Sequence, residues 1–199
     1  MAKVVAAMTM SLDGFVAHLD DGVEHLFDWY ENGEVLIEWP GNDMVSKVST
    51  ASAGYLQELI ECTGALVVGR RVFDYTNGWG GHHPFGVPVY VITHTTPDGW
   101  PRDDAQFTFV NDGVETAVAM AREVAGEKSV GLAGPNIIQQ CLNAGLVDEL
   151  RIELVPVLLG EGVRLFDHLD SSPMFFSNPT VLQGNGVVHL IYEIRRDNR

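Results

Sequence analysis

Two segments of the chain run from a short apolar stretch through glycine directly into a helix-like pattern. The first turns at Gly69 and the second at Gly134. Unpaired backbone N–H groups and the helix dipole make such a helix start a binding site for anions. Paired arginines, Arg70 and Arg71, follow the first turn. Two anion sites in one small chain predict a ligand with several phosphates, and a dinucleotide is the first candidate.

Strand-like and helix-like runs alternate along most of the sequence, which is typical of an α/β fold. Apolar runs predict strands at 3–10, 65–69, 88–93, 106–110, 129–133 and 150–159. Apolar side chains at helical spacing predict helices at 49–61, 112–125 and 135–144. We expect a mostly parallel central sheet with helices on both faces. Near the C terminus two further strand-like runs flank a Gly-Asn-Gly turn at 184–186, which predicts an antiparallel hairpin.

Composition narrows the class of protein. The length of 199 residues, without a linker or repeat, predicts a single domain over 1–199. The formal net charge of −15 argues against nucleic acid or an anionic membrane as a partner. No apolar run reaches the roughly 18 residues that a membrane span needs, and the N-terminal run is too short for a signal peptide. We therefore expect a soluble, cytoplasmic protein.

No metal site is expected. Cys62 and Cys141 match no metal-binding or redox spacing. His82 and His83 are adjacent, and adjacent side chains cannot easily share one ion; no third ligand is evident nearby. We interpret the histidine pair as part of a loop.

Residues 18–45 differ from the rest of the chain. Their periodicity is weak, and they are rich in Asp, Glu, Gly and aromatic residues. A segment of this length inside a compact domain is usually a functional loop or lid. A surface insertion or an oligomer contact explains the same composition equally well, so both interpretations stay open.

The fingerprint of a classical NAD-binding fold is missing, because no Gly-x-Gly-x-x-Gly follows the first strand. Instead, four segments resemble, in order, the dihydrofolate reductase superfamily, and more closely the reductase domain of the bifunctional riboflavin-biosynthesis deaminase-reductase. These segments are 10–17, 68–73, 89–94 and 131–138. The resemblance implies a dihydrofolate reductase-like fold and an oxidoreductase that uses NADPH. A deaminase half is not expected, since the His-x-Glu and Pro-Cys-x-x-Cys motifs are absent.

The resemblance also implies which residues contact NADPH. Met8 and Thr9 would offer backbone groups to the nicotinamide carboxamide, and Arg70 would meet the ribose phosphate that distinguishes NADPH from NADH. The full set of expected cofactor-binding residues is Met8, Thr9, Gly69, Arg70, Arg71, Thr93, His94, Ala133, Gly134, Asn136 and Ile137. One departure concerns Val72, which replaces a phosphate-binding threonine of dihydrofolate reductases.

Two carboxylates are the catalytic candidates. Asp13 follows the first strand, close to the expected nicotinamide, and we expect it to matter more to hydride transfer than Glu153. Glu153 lies on a strand whose alternation places it opposite the apolar face, where it could hold the substrate. Asp13 could instead be a turn residue, and Glu153 a solvated charge. No acid occupies the folate-binding position near Ala53, so dihydrofolate reductase activity itself is not expected.

The substrate predicted by the resemblance is a small heterocyclic or carbonyl compound. The specific expectation is reduction of 5-amino-6-(5-phosphoribosylamino)uracil, or a close relative, in riboflavin biosynthesis. Two alternatives stay open: a non-catalytic module that binds a pterin, flavin or nucleotide, and a pterin or general carbonyl reductase. The hairpin and the apolar residues at 174–176 predict exposed apolar surface, so we also expect a homodimer.

Overall fold

The computed structural model describes residues 1–170 and 172–195. The strands are β1 (Val4–Ser11), β2 (Phe15–Ala17), β3 (Val35–Glu38), β4 (Val45–Val48), β5 (Thr63–Gly69), β6 (Val89–Ile92), β7 (Phe107–Val110), β8 (Ser129–Ala133), β9 (Glu149–Val155), β10 (Val163–Arg164), β11 (Thr180–Gln183) and β12 (Val188–Glu193). The helices are α1 (Thr50–Cys62), α2 (Arg70–Tyr75), α3 (Gly113–Ala125) and α4 (Pro135–Asn143). Short 3-10 turns lie at Asp28–Glu31 and Asn77–Gly81.

Eight strands form the central sheet, in the order β11-β12-β9-β1-β8-β5-β6-β7. The strands from β9 to β7 in this order run parallel to one another. The C-terminal hairpin joins antiparallel, β12 against β9 and β11 against β12. The predicted fold class is therefore confirmed: a mostly parallel α/β sheet that ends in an antiparallel hairpin.

Helices cover both faces of the sheet. The apolar stripe of α3, which includes Val114, Val118 and Ala121, packs with α4 against one face. Tyr55, Leu56 and Leu59 of α1 belong to a second buried cluster on the opposite face. The strands contribute side chains to both clusters, because successive side chains of a strand point to opposite faces of the sheet.

Residues 18–45, hereafter the cover segment, contain more regular structure than their weak periodicity predicts. The 3-10 turn and strand β3, which pairs with β4 in a separate hairpin, both fall within the segment. Trp29, Ile37 and Trp39 are buried in the same cluster as α1. The segment therefore covers the α1 face of the sheet. Among the described residues, no helix has both the length and the apolar character needed to cross a membrane.

Candidate active site

The carboxyl ends of the parallel strands meet at one edge of the sheet. Strand β1 ends at Ser11, β5 at Gly69, β8 at Ala133 and β9 at Val155. In open α/β sheets, ligands bind in the crevice outside this edge. Both glycine turns of the sequence therefore lie at the edge where a ligand is expected.

The two glycine turns pack against each other. Gly134 has φ +97°, and a Cβ atom there would lie 2.9 Å from Val72 Cγ2, so only glycine fits. A Cβ atom on Gly69 would lie 3.2 Å from Cγ1 of the buried Ile137. Pro135 occupies the first turn of α4, where its missing N–H leaves no bond unmade. The starts of α2 and α4 thus face the same crevice edge.

Arg70 bridges α2 and the end of β6. Its Nε lies 2.8 Å from both carboxylate oxygens of Asp74, and its Nη1 donates to the Thr95 carbonyl at 2.8 Å and to Thr93 Oγ1 at 3.3 Å. The structure thus brings Arg70 and Thr93 together, as the resemblance implies. His94 follows and is exposed.

Arg71 points elsewhere. Its Nε donates to Asp21 at 2.7 Å, and its Nη2 reaches the Leu19 carbonyl at 3.4 Å. This arginine therefore ties the cover segment to the start of α2 and is separate from the Arg70–Thr93 pair.

The remaining expected cofactor residues lie along the same edge. Ala133 ends β8 and is half-buried, whereas Asn136 is exposed and accepts a 2.6 Å hydrogen bond from Gln140. Pairing between β1 and β8 ends at Ala6, but pairing between β1 and β9 continues to Ser11. Backbone groups of Met8 or Thr9 that face β8 are therefore outside the sheet ladder.

Asp13 lies in the turn after β1. Its carboxylate accepts hydrogen bonds from Ser11 Oγ at 2.6 Å and from the backbone N–H groups of Leu159 and Gly160 at 3.1 and 2.7 Å. These bonds, the one from Ser11 above all, lower the pKa of Asp13 to about 2. An ionised carboxylate with this set of partners suits the positioning of a loop better than proton donation. Direct participation of Asp13 in catalysis stays a prediction.

Glu153 lies at the centre of a polar layer on the α1 face. Register places Thr9, Glu153 and His189 side by side on β1, β9 and β12. Thr9 Oγ1 donates to one carboxyl oxygen of Glu153 at 3.4 Å, and the Tyr55 hydroxyl of α1 donates to the other. Glu153 is 5% exposed, so the interpretation as a solvated charge is wrong: the cover segment and α1 exclude solvent from this face.

Burial sets the ionisation of the layer. It raises the pKa of Glu153 to about 7, against the opposing effect of its hydrogen bonds. Burial and the neighbouring Glu153 also raise the pKa of Tyr55 well above its ordinary value, and burial lowers the pKa of His189 to about 4. Near neutral pH this layer therefore holds a carboxyl group that can give or take a proton.

Sequence reasoning missed three members of this layer. In the sequence alone, Tyr55 is one member of an apolar helical stripe, and His189 is one residue of a predicted hairpin strand. Trp29 lay in the aperiodic cover segment. Its ring meets that of His189 edge-on with centroids 5.2 Å apart. No local sequence signal brings these residues together, because strand pairing and segment packing do so.

The described residues show no group of three or more His, Cys, Asp or Glu side chains arranged to hold a metal ion. His83 packs against the rings of Trp79 and Phe85 at 4.5 and 5.2 Å. Burial lowers the pKa of His83 to about 3, which agrees with its placement in a packed loop.

Known structures share this architecture. A protein of Shewanella sp. PV-4 assigned to riboflavin biosynthesis is 26% identical, with a TM-score of 0.71 over 98% of this chain and 100% of that chain. The riboflavin biosynthesis reductase Rib7 of Saccharomyces cerevisiae is 15% identical, with a TM-score of 0.62 over 98% and 90% of the two chains. Dihydrofolate reductase of Enterococcus faecalis, in complex with NADP(H) and RAB-propyl, is 15% identical, with a TM-score of 0.54 over 98% and 97%.

These similarities confirm the expected dihydrofolate reductase-like fold. The resemblance found in the four sequence segments is confirmed as well. The family model of the RibD C-terminal domain matches residues 2–188, nearly the whole chain, and the protein therefore belongs to the RibD C-terminal domain family.

Proposed function

We propose that the protein is an NADPH-dependent reductase that transfers hydride to a small heterocycle of the aminouracil type, as in riboflavin biosynthesis. One observation carries this proposal: the glycine turns with Arg70 and the buried carboxyl group of Glu153 lie near the same edge of one sheet. The first arrangement suits a phosphate-rich cofactor and the second suits proton transfer. Two structural neighbours support the proposal: one is a riboflavin biosynthesis reductase, and the other is a dihydrofolate reductase in complex with NADP(H).

The residues present fit NADPH. Arg70 would receive the phosphate on the adenosine ribose, because its guanidinium is a cationic donor at that point. Thr93 Oγ1 accepts from Arg70 Nη1 and donates to the Thr95 carbonyl, so Thr93 would hold the guanidinium in place. The start of α4, opened by Gly134, would receive the pyrophosphate on its backbone N–H groups. Free backbone groups of Met8 or Thr9 on the side of β8 would meet the carboxamide. When bound, the nicotinamide supplies the hydride.

Glu153 and Tyr55 would supply the proton. Hydride addition to a C=O or C=N bond leaves negative charge on the heteroatom, which a nearby acid or hydrogen-bond donor stabilises. Glu153 retains a proton near neutral pH because its pKa is raised to about 7 by burial. Asp13 would act by holding the backbone at Leu159 and Gly160, beside the end of β9.

Loss of the nicotinamide absorbance tests the proposal directly. Aminouracils, pterins and quinones are offered with NADPH or NADH as the reductant. We expect oxidation of NADPH, faster than that of NADH, with at least one aminouracil. Binding of NADPH without turnover of any of these compounds would instead support the non-catalytic binding module.

A further inference from the structure

The polar layer around Glu153 contains two buried nitrogen atoms that have no hydrogen-bond partner. They are Nε1 of Trp29 and Nδ1 of His189. Trp29 is 2% exposed and His189 is 0% exposed. Buried polar groups are nearly always paired, and an unpaired one destabilises the fold. Two of them in neighbouring rings, beside a buried carboxyl group, point to a ligand that pairs with them.

Two neighbouring polar groups are paired. His189 uses its second ring nitrogen, Nε2, in a 2.9 Å hydrogen bond with Ser52 Oγ. Trp39, in the same buried cluster, donates its indole N–H to Ser46 Oγ at 3.0 Å. Besides Trp29 and His189, Arg151 carries a buried side-chain nitrogen without a partner, its Nη1.

We infer that Trp29, His189 and Glu153 recognise the edge of an uncharged, unphosphorylated N-heterocycle, an inference that rests on the proposed function. Lactam and imide edges alternate N–H donors with C=O acceptors. The indole N–H donates to a ring oxygen or nitrogen, and the carboxyl group of Glu153 can both donate and accept. Tyr55 stacks on His189 with centroids 4.1 Å apart and thereby fixes the orientation of the imidazole. Because Trp29, His189 and Glu153 are buried beneath it, the cover segment has to shift for the heterocycle to reach them.

The charges around the layer disfavour a phosphate. The guanidinium of Arg151 lies two positions before Glu153 on β9, and it pairs with Glu149 at 2.5 Å and Glu58 at 2.9 Å. Its Nη1 has no partner, but two carboxylates already match its single positive charge. Arg71, which contacts the cover segment, is paired with Asp21.

The outer surface of the cover segment adds negative charge. A groove between this segment and Tyr75 of α2 is lined by the carboxylates of Glu24, Asp28 and Glu31 and by His25. A phosphate dianion that approached from this side would meet like charges, which weakens its binding. A neutral ring with a neutral sugar or alkyl substituent meets no such repulsion.

A matched pair of compounds tests the substrate class. The probes are 5-amino-6-(ribosylamino)uracil and its 5′-phosphate, each assayed with NADPH. We expect kcat/KM for the unphosphorylated compound to exceed that for the phosphate by at least about tenfold. An equal or higher value for the phosphate overturns the inference.

Equilibrium binding separates this inference from the proposed function. Quenching of tryptophan fluorescence measures the affinity of both compounds without any turnover. If neither is reduced but the unphosphorylated ring binds more tightly, the proposed function fails and the inference holds. If neither compound binds, or the phosphate binds as tightly, the inference fails.

A pair of tryptophan variants tests the recognition residues. Trp29→Phe removes the unpaired indole N–H and keeps an aromatic ring, so we expect KM to rise by roughly fivefold or more with little change in kcat. The smaller ring leaves space in the core and should also lower thermal stability. Trp39→Phe is the control: it removes a paired N–H and should lower thermal stability but leave KM unchanged. An unchanged KM in Trp29→Phe overturns the assignment. If Trp29→Phe does not fold, His189→Gln takes its place in the test, and its KM is compared with that of Trp39→Phe in the same way.

Discussion

The hydroxyl group of Tyr55 donates a hydrogen bond to the carboxyl group of Glu153 at a place from which solvent is excluded. Tyr55 comes from helix α1, and Glu153 from strand β9 of the central sheet. The acid candidate thus comes from the sheet, and the helix contributes the phenol that donates to it. Helix and sheet together hold one proton-exchanging pair beneath the cover segment.

Burial of Glu153 makes stability depend on pH. Its pKa rises from 4.5 to about 7 on folding, so between these values the folded protein keeps a proton that the unfolded chain has lost. The free energy of unfolding therefore falls as the pH rises through this window. A shift of this size corresponds to about 3 kcal/mol. Glu153→Gln cannot ionise and should lack this contribution.

Urea unfolding of the wild type and of Glu153→Gln at about pH 5 and about pH 8 measures the effect. The comparison with the variant removes contributions from other carboxylates, such as Asp13, whose pKa is lowered to about 2. We expect the wild type to lose stability relative to the variant at the higher pH. A difference that does not change with pH would show that Glu153 ionises normally.

Glu153→Gln should also slow the chemical step. Without a proton to give, the variant should lose about a hundredfold in kcat, while its affinity for NADPH stays nearly unchanged. For the wild type, log kcat should fall above about pH 7, where Glu153 loses its proton. Single-turnover rates measured across the pH range check both statements. A normal kcat in Glu153→Gln would remove this residue from catalysis.

Asp13→Asn should affect stability and cofactor binding more than kcat, in contrast to Glu153→Gln. The amide replaces one acceptor oxygen by a donor that faces the backbone N–H groups of Leu159 and Gly160. We expect lower thermal stability and weaker NADPH binding, with a smaller effect on kcat than in Glu153→Gln. Glu161→Gln, an exposed neighbour in the same loop, serves as the control. If Asp13→Asn lowers kcat by about a hundredfold and leaves stability intact, the prediction of a direct catalytic role is correct after all.

Much of the fold could be predicted because its elements carry local signals. The helix predicted at 112–125 is observed at Gly113–Ala125, and the hairpin predicted around the turn at 184–186 is observed with strands Thr180–Gln183 and Val188–Glu193. Alternation also placed Glu153 on the face opposite Leu150 and Ile152. These features depend on apolar periodicity and on glycine at turns, which a single sequence displays.

The composition of the polar layer could not be predicted in this way. Whether Glu153 is solvated or buried depends on what covers its face, and that cover is the aperiodic segment that carries Trp29. His189 lies beside Glu153 only because β12 pairs with β9 in one register. Pairing between segments distant in sequence leaves no trace in local periodicity. Positions that depend on it are therefore the ones that sequence reasoning misses.

Arg70 should determine the preference for NADPH over NADH. Its guanidinium is held by Asp74 and the Thr95 carbonyl at the expected phosphate position. A charge-assisted contact with the additional phosphate contributes about 1.5–3 kcal/mol, which is roughly a ten- to hundredfold difference in affinity. Arg70→Gln should bind the two cofactors with similar affinity in calorimetric titrations. Arg122→Gln, at the opposite end of the sheet, should keep the preference.

The C-terminal hairpin should form the contact of a homodimer. Strand β11 is the last strand of the sheet, and Val181 on it is 55% exposed. Met174 and Phe176 pack against the core, whereas Phe175 between them is 65% exposed. An unpaired edge strand beside exposed apolar side chains is a surface that association would cover.

We therefore expect light scattering at micromolar concentration to give the mass of a dimer. Phe175→Ser should shift it towards the monomer, and Val124→Ser, on the outer side of α3, should not. A monomeric wild type under these conditions would show that the prediction is wrong.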